Sequence, residues 1–426
     1  MKFSIKSPEK LSGCVVLPAS KSISNRALIV DALGNMAHGM ADRKVCGVRN
    51  ISDCDDTRVM WNALTQMPET IDIMAAGTAM RFLSAFLCVN EGVHVITGTE
   101  RMKNRPIGVL VDALRQLGAQ VEYVEKEGFP PLRITGGRHR GGSVTLSGSV
   151  SSQYVSALLM IGPVMEEGLR LKLEGRIVSR PYIEMTLDIM RAFGAKAGWV
   201  AEDCICVESG GYAPVPYYVE SDWSAASYWY EMVALSPDAD ASVELPGLFA
   251  RSLQGDSAVS GLFSMLGVCS EHYMTDEGLE CVRLHKGGTI QERMEHDFTH
   301  QPDLAQTLVA TCCAMGVPFR FSGLESLKIK ETDRIYALRT ELGKFGFMIE
   351  EPEEGTLCWE GDRGEAQPDA TVDTYEDHRM AMALAPLSAR LGGIRMNDPE
   401  VVSKSYPQFW AHLRNVGFII EEESLC

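Results

Sequence analysis

The 426-residue chain is short of positive charge: 40 Lys and Arg stand against 57 Asp and Glu, a formal charge of −17. That balance argues against a nucleic-acid or anionic-membrane partner. It also sets the average field against a small anionic substrate, which would need a local cluster of bases. No apolar run approaches the ~18 residues of a membrane span, and Met1-Lys2-Phe3-Ser4-Ile5-Lys6 lacks a signal-peptide apolar region. A soluble, cytoplasmic protein is expected. The 12 Cys contain no C-x-x-C, and neither Cys204/Cys206 nor Cys312/Cys313 has His or Cys partners at zinc spacing. Reduced thiols and no metal site are the expectation. Also missing are a G-x-x-x-x-G-K-[ST] phosphate loop, a G-x-G-x-x-G turn and a G-x-S-x-G elbow, so nucleotide folds and a hydrolase triad lack support. The chemistry falls to carboxylates, lysines and arginines.

What the chain does contain is self-similarity. Arg105-Pro106 opens a segment with Ile107, Leu110, Val111, Leu114 and Leu117 on one helical face, then Gly118 and the alternating Val121 and Tyr123. This predicts an amphipathic helix, a glycine C-cap and a strand. Equivalent segments run through Ile183, Leu187, Met190 and Phe193 to Gly194, and through Val259, Leu262, Phe263 and Leu266 to Gly267. Two more run through Ile335, Leu338, Leu342 and Phe345 to Gly346, and through Phe409, Leu413 and Val416 to Gly417. Their glycines lie 71 to 79 residues apart, and a weaker copy holds Asp55, Asp56, Val59, Met60 and Leu64. From Leu64 to its counterpart Leu117 the interval is only 53, so the first unit is shortened. Six units of one α/β design result, split three and three near Pro214-Val215-Pro216. A cleft between two lobes is a common place for a small ligand.

Several apolar helical runs begin with hydroxyls and bases: Ser20-Lys21-Ser22-Ile23-Ser24-Asn25-Arg26, Gly77-Thr78-Ala79-Met80-Arg81 and Ser151-Ser152-Gln153-Tyr154. Lys330-Glu331-Thr332-Asp333-Arg334 and Asp377-His378-Arg379 continue the pattern. A helix N-terminus offers free N–H groups and a partial positive charge, which suits phosphate or carboxylate. Taken singly, Ser151 or Thr332 reads as an ordinary cap. Ordinary capping does not account for Lys21, Arg81, Lys330, Arg334 and Arg379, because a cation there opposes the helix dipole and costs up to ~1 kcal/mol. A bound anion would remove that penalty.

Read together, Lys21-Ser22-x-Ser24-Asn25-Arg26, Ala76-Gly77-Thr78-Ala79-Met80-Arg81 and Arg101-Met102-Lys103-Asn104-Arg105-Pro106-Ile107-Gly108 resemble the 5-enolpyruvylshikimate-3-phosphate synthase family. Lys330-Glu331-Thr332-Asp333-Arg334 and Asp377-His378-Arg379-Met380 follow in that family's order. The resemblance implies an α/β fold, a two-lobed inside-out α/β barrel with helices inside, each lobe of three βαβαββ-like repeats. One lobe would comprise residues 1–20 with 222–426, the other residues 21–221. It further implies transfer of the enolpyruvyl group of phosphoenolpyruvate to the 5-hydroxyl of shikimate 3-phosphate, on the route to chorismate and aromatic amino acids. No cofactor is implied, and a monomer is expected.

Residue by residue, the resemblance assigns shikimate 3-phosphate to Lys21, Ser22, Arg26, Ser151, Ser152, Gln153, Ser179, Asp303 and Lys330, with Tyr182 packed nearby. It assigns phosphoenolpyruvate to Lys21, Gly77, Arg105, Gln153, Arg334, Arg379 and Lys404. Asp303 would accept the hydroxyl proton, Glu331 would serve the methylene carbon, and Lys21 or Lys404 would assist the leaving phosphate. The bases of both lobes are expected to meet in the cleft and to repel one another until anions bind.

The chain departs from the family pattern at Ala19, where Gly is common, at Ala75 in place of Asn and at Phe82 in place of Pro. Ser326 stands where some members have Asn, and no contact is assigned to it. With the shortened first unit, these changes fall beside Gly77 and bear on phosphoenolpyruvate affinity and glyphosate sensitivity. Two other readings compete. One is the sister enolpyruvyl transferase acting on UDP-N-acetylglucosamine, which the Lys21-Ser22 and Ser151-Ser152-Gln153 starts disfavour. The other is a non-catalytic anion-binding scaffold, which would not require both Asp303 and Glu331.

Overall fold

The computed structural model describes residues 1–37, 47–276 and 278–423. The chain divides into two compact units, Met1–Pro18 with Glu220–Cys426, and Ala19–Val219.

In the Ala19–Val219 unit, three helices are buried nearly all round: Lys21–Ala37, Gly77–Val89 and Ser152–Ile161. They pack on one another. One sheet runs in the order Thr70–Asp72, Gly92–Thr97, Leu132–Gly136, Gln120–Tyr123, its first pair parallel and the others antiparallel. A second repeats this order with Gly142–Ser147, Leu169–Glu174, Cys204–Val207 and Ala197–Ala201. The third is a parallel pair of two-residue strands, Val48–Arg49 and Tyr217–Tyr218.

The other unit has three sheets of the same order. They are Ser12–Cys14, Ser242–Pro246, Glu280–Ile290, Leu266–Met274; then Met294–Asp297, Phe319–Ser322, Thr356–Trp359, Glu350–Glu353; and Thr371–Val372, Ile394–Asn397, Lys2–Lys6, Ile419–Glu423. Its enclosed helices are Trp223–Leu235, Ala305–Met315 and His378–Leu384. Their side chains merge with those of the sheets into one core that includes Trp229, Phe263, Phe319 and Phe321.

Each four-stranded sheet is one repeat. In four of them the enclosed helix joins the parallel pair, as a parallel crossover requires. Ser12–Cys14 and Ser242–Pro246 are instead parted by the whole Ala19–Val219 unit before Trp223–Leu235 leads into the second strand. The amphipathic helix leads to the antiparallel strands. The six-unit expectation therefore holds, with helices inside. The expected inside-out α/β arrangement is likewise present; among the described residues the sheets stay separate and none closes into a barrel. The shortened unit is the two-stranded sheet. There, helix Asp55–Gln66 ends on Met67 in the left-handed region and runs into Thr70–Asp72 of the next repeat. The two antiparallel strands seen in every other repeat are missing among its described residues.

Gly118, Gly194, Gly267, Gly346 and Gly417 all have φ between 80° and 99°, the conformation that a helix-terminating residue needs and an L side chain resists. At Gly194 an added Cβ meets only ordinary contact, 3.5 Å from Ala213. Gly194→Ala should therefore lower unfolding free energy by about 1–2 kcal/mol through backbone strain alone. Gly137→Ala, where a Cβ would enter open space, should change it by under about 0.5 kcal/mol. Urea unfolding of the two variants checks this.

Candidate active site

The Glu220–Cys426 unit gathers six of the expected residues into one ion-pair cluster. Asp303 lies in the short turn Pro302–Leu304 ahead of a buried helix, and Arg334 and Arg379 occupy the first turns of two others. Asp303 accepts from Arg334 Nη1 at 3.0 Å and from Arg379 Nη2 at 3.0 Å, with Lys330 Nζ 3.7 Å away. Glu331 accepts from Arg334 Nη2 at 2.9 Å, and its other oxygen lies 3.1 Å from Lys404 Nζ. Asp377, fully buried, takes Arg334 Nε at 2.7 Å and Nη2 at 3.2 Å, and caps its own helix by accepting from the Arg379 backbone N–H at 2.9 Å.

Four bases are thus interleaved with three carboxylates. Burial by itself would push the Asp303 carboxyl up, but the charges of Arg379, Lys330 and Arg334 outweigh it and hold the group well below the usual carboxylate range. Burial would likewise push the Arg334 guanidinium down, and Asp377, Glu331 and Asp303 more than reverse this. Beside them, burial first and the Asp303 charge second push the Asp256 carboxyl up to about 6, and it accepts from the Ser224 hydroxyl. The sequence expectation of bases repelling one another is corrected for this unit. Internal carboxylates already supply the anion that the helix starts demand.

The Ala19–Val219 unit holds its bases differently. Lys21 opens its helix and pairs with Asp56 at 3.3 Å. The hydroxyl of Ser20 accepts from Ile23 N, which leaves the Ser22 hydroxyl outside the capping role. Ser151 does cap its helix, accepting from Gln153 N, and Asp333 rather than Thr332 caps the helix begun by Arg334.

Helix Gly77–Val89 has no side-chain cap, and neither has Arg180–Ala192, where Ser179 precedes it with φ 53°. Gln153 Nε2 donates to Thr78 Oγ1 at 3.1 Å, which seats Gln153 beside the Gly77 helix start. Arg105 joins them: a Cβ on Gly77 would fall 2.6 Å from Arg105 Nη1. Arg81 lies there too: the same Cβ would fall 3.2 Å from its Nη1, and it donates to the carbonyls of Gly77 and Pro106. Arg26 is buried on four uncharged acceptors, and burial lowers its pKa to about 10, so it stays a cation at neutral pH. The backbone of Tyr182 is one of those acceptors and the Tyr182 ring lies 6.0 Å from the guanidinium. Ser152 and Ser179 are buried.

Sequence reasoning quoted Asp56 and Asp377 only as helix starts and missed them as partners of the bases. Their place just before or within a helix's first turn was the available signal. Ser156 and Thr186, which hold Arg26, carried no signal beyond their position inside helices.

The EPSP synthase (3-phosphoshikimate 1-carboxyvinyltransferase) family model matches residues 5–73 and 67–413. A 3-phosphoshikimate 1-carboxyvinyltransferase from Bacteroides fragilis (strain YCH46) is 54% identical over 421 residues, 99% of each chain. One from Vibrio cholerae (serotype O1, strain M66-2) is 36% identical over 430 residues, 94% of this chain and 96% of the other. Among solved structures, an EPSP synthase from Acinetobacter baumannii superposes with a TM-score of 0.76 at 22% identity, over 99% of this chain and 100% of that one. The enolpyruvyl transferase NikO from Streptomyces tendae gives 0.67 at 14% identity, over 99% and 98%. These two establish the fold.

Removing Asp377 would strand the buried Arg334 charge on one side. Asp377→Ala should cost about 3–5 kcal/mol of stability, read as a lower urea midpoint at pH 7. A loss under about 1 kcal/mol would mean that Asp303 and Glu331 suffice to hold Arg334.

Matched across most of its length by the family model and over 99% of its length by a relative sharing 54% of its residues, the chain belongs to the EPSP synthase family.

Proposed function

We propose that this chain transfers the enolpyruvyl group of phosphoenolpyruvate to the 5-hydroxyl of shikimate 3-phosphate, releasing phosphate, on the route to chorismate and the aromatic amino acids. The observation that carries the reading is the cluster of Asp303 and Glu331 among Lys330, Arg334, Arg379 and Lys404. Four bases suit multiply anionic substrates, and two carboxylates suit a reaction that moves protons at two different atoms.

In this reading Glu331 protonates the methylene carbon of phosphoenolpyruvate, and the shikimate 5-hydroxyl attacks the adjacent cation-like carbon while Asp303 takes its proton. The tetrahedral intermediate then loses phosphate, assisted by Lys21 or Lys404. Glu331 recovers a proton from the methyl group, and the double bond is restored. Phosphoenolpyruvate would engage Lys21, Gly77, Arg105, Gln153, Arg334, Arg379 and Lys404. Shikimate 3-phosphate would engage Lys21, Ser22, Arg26, Ser151, Ser152, Gln153 and Ser179, with Asp303 and Lys330. Asp303 is a weak base while three cations lie on it; as substrate anions draw Arg379 and Lys330 away, its affinity for a proton rises. The same reading makes the protein a monomer of the cytoplasm; no helix among the described residues is long and apolar enough to cross a membrane.

Phosphate release with phosphoenolpyruvate and shikimate 3-phosphate, and none with UDP-N-acetylglucosamine, is the expected result. Release with the second acceptor would support the sister reaction, and release with neither would support a binding scaffold. Asp303→Ala should retain substrate binding and lower kcat by about 10²-fold; near-normal turnover would remove Asp303 from the role of proton acceptor.

A further inference from the structure

Arg26 is 3% exposed, and no carboxylate faces it among the described residues. Isolated buried charges are strongly disfavoured, so the side chains that replace a counter-ion matter. Nε donates to Thr186 Oγ1 at 2.7 Å and Nη2 to Ser156 Oγ at 3.1 Å. Nη1 donates to the Ser22 carbonyl at 2.9 Å, and Nη2 also faces the Tyr182 carbonyl at 3.5 Å. The Phe82 ring lies 5.2 Å from the guanidinium carbon.

The two hydroxyls are themselves joined, Ser156 Oγ to Thr186 Oγ1 at 2.8 Å. A hydroxyl has one proton to give, and that of Thr186 goes to the Tyr182 carbonyl at 2.8 Å. Ser156 must therefore donate to Thr186, so the proton order runs Ser156 to Thr186 to Tyr182 carbonyl. Both oxygens are left turned toward the guanidinium. Four of the five N–H groups of Arg26 are taken in this way by neutral acceptors, and the fifth, on Nη1, has none among the described residues.

We infer that Thr186 and Ser156 are positioning residues for shikimate 3-phosphate: by holding Arg26 with oriented hydroxyls in place of a carboxylate, they aim its free N–H and leave its full charge to the substrate. The inference rests on the reading of Arg26 as a shikimate 3-phosphate contact. It differs from what the neighbouring unit does, where every expected base of the cluster already touches a carboxylate. A carboxylate in the place of Thr186 would hold the side chain as firmly but would cancel the charge that the ligand meets.

The test is steady-state kinetics of Thr186→Val, Thr186→Ser, Ser156→Ala and Arg26→Gln, with melting temperatures recorded. A hydrogen bond to a charged group is worth roughly a tenfold change or more. Thr186→Val, which keeps the shape and removes the hydroxyl, should raise KM for shikimate 3-phosphate about tenfold and move KM for phosphoenolpyruvate by under about twofold. Thr186→Ser, which keeps the oxygen, should restore the parent value, and Ser156→Ala should show a smaller rise of the same kind. If Arg26→Gln raises KM for shikimate 3-phosphate but Thr186→Val and Ser156→Ala do not, the positioning role is overturned and the Arg26 contact stands. If Arg26→Gln leaves that KM unchanged, the contact itself is wrong and the inference falls with it. A fall in melting temperature with both KM values unchanged, or a failure of Thr186→Ser to rescue, also overturns it. Should Thr186→Val not fold, Ser156→Ala and Thr186→Ser decide by the same readouts.

Discussion

A cation taken out of water before its anionic ligand arrives has to be held by something, and the arrangement of both units follows from that constraint. Arg334 is almost fully buried in the first turn of a helix, where the dipole also opposes it. Asp377, Asp303 and Glu331 close around it, and through them Arg379, Lys330 and Lys404 are drawn into the same cluster. The groups proposed to move protons are thus also the groups that keep the bases in place. In that reading catalysis and stability share atoms here, and a substrate would compete with these carboxylates for each base of the cluster.

The other unit uses a milder device. Arg26 rests on hydroxyls and carbonyls, Arg81 donates to carbonyls, and Lys21 pairs with a carboxylate, Asp56. Neutral acceptors stabilise a guanidinium less than a carboxylate does, but they leave its charge uncancelled. A net charge of −17 is compatible with both devices. Part of the acidic excess serves as internal counter-ion, and the field at a helix start is set by the few groups within a few ångströms rather than by the chain's total.

The repeat was legible because it is written in local chemistry. Ile183, Leu187 and Met190 recur at helical spacing and are buried, and Gly194 ends their helix in a conformation that other residues resist. The sheet order was not legible. Lys2–Lys6 pairs with Ile394–Asn397, and Ser12–Cys14 with Ser242–Pro246, partnerships across hundreds of residues that no window of sequence contains. Val48–Arg49 and Tyr217–Tyr218 are too short to show alternation, so the remnant sheet of the shortened repeat appears only once the two segments are side by side. The inside-out arrangement was expected from resemblance, and its sheets stay separate because the strands of each repeat pair only within their own sheet among the described residues.

For the candidate site, sequence alone determined which residue types stand at which helix starts, since capping, dipole and motif are properties of a few adjacent residues. Lys21, Lys330, Arg334 and Arg379 could be named on that basis, and Arg105 and Lys404 from the family resemblance. Tertiary structure decided what each one touches: Asp377 on Arg334 from 43 residues away, Asp303 on Arg379 from 76, Thr186 on Arg26 from 160. Charge interactions depend on distance in space and on the water excluded around them, and neither quantity exists until the chain has folded.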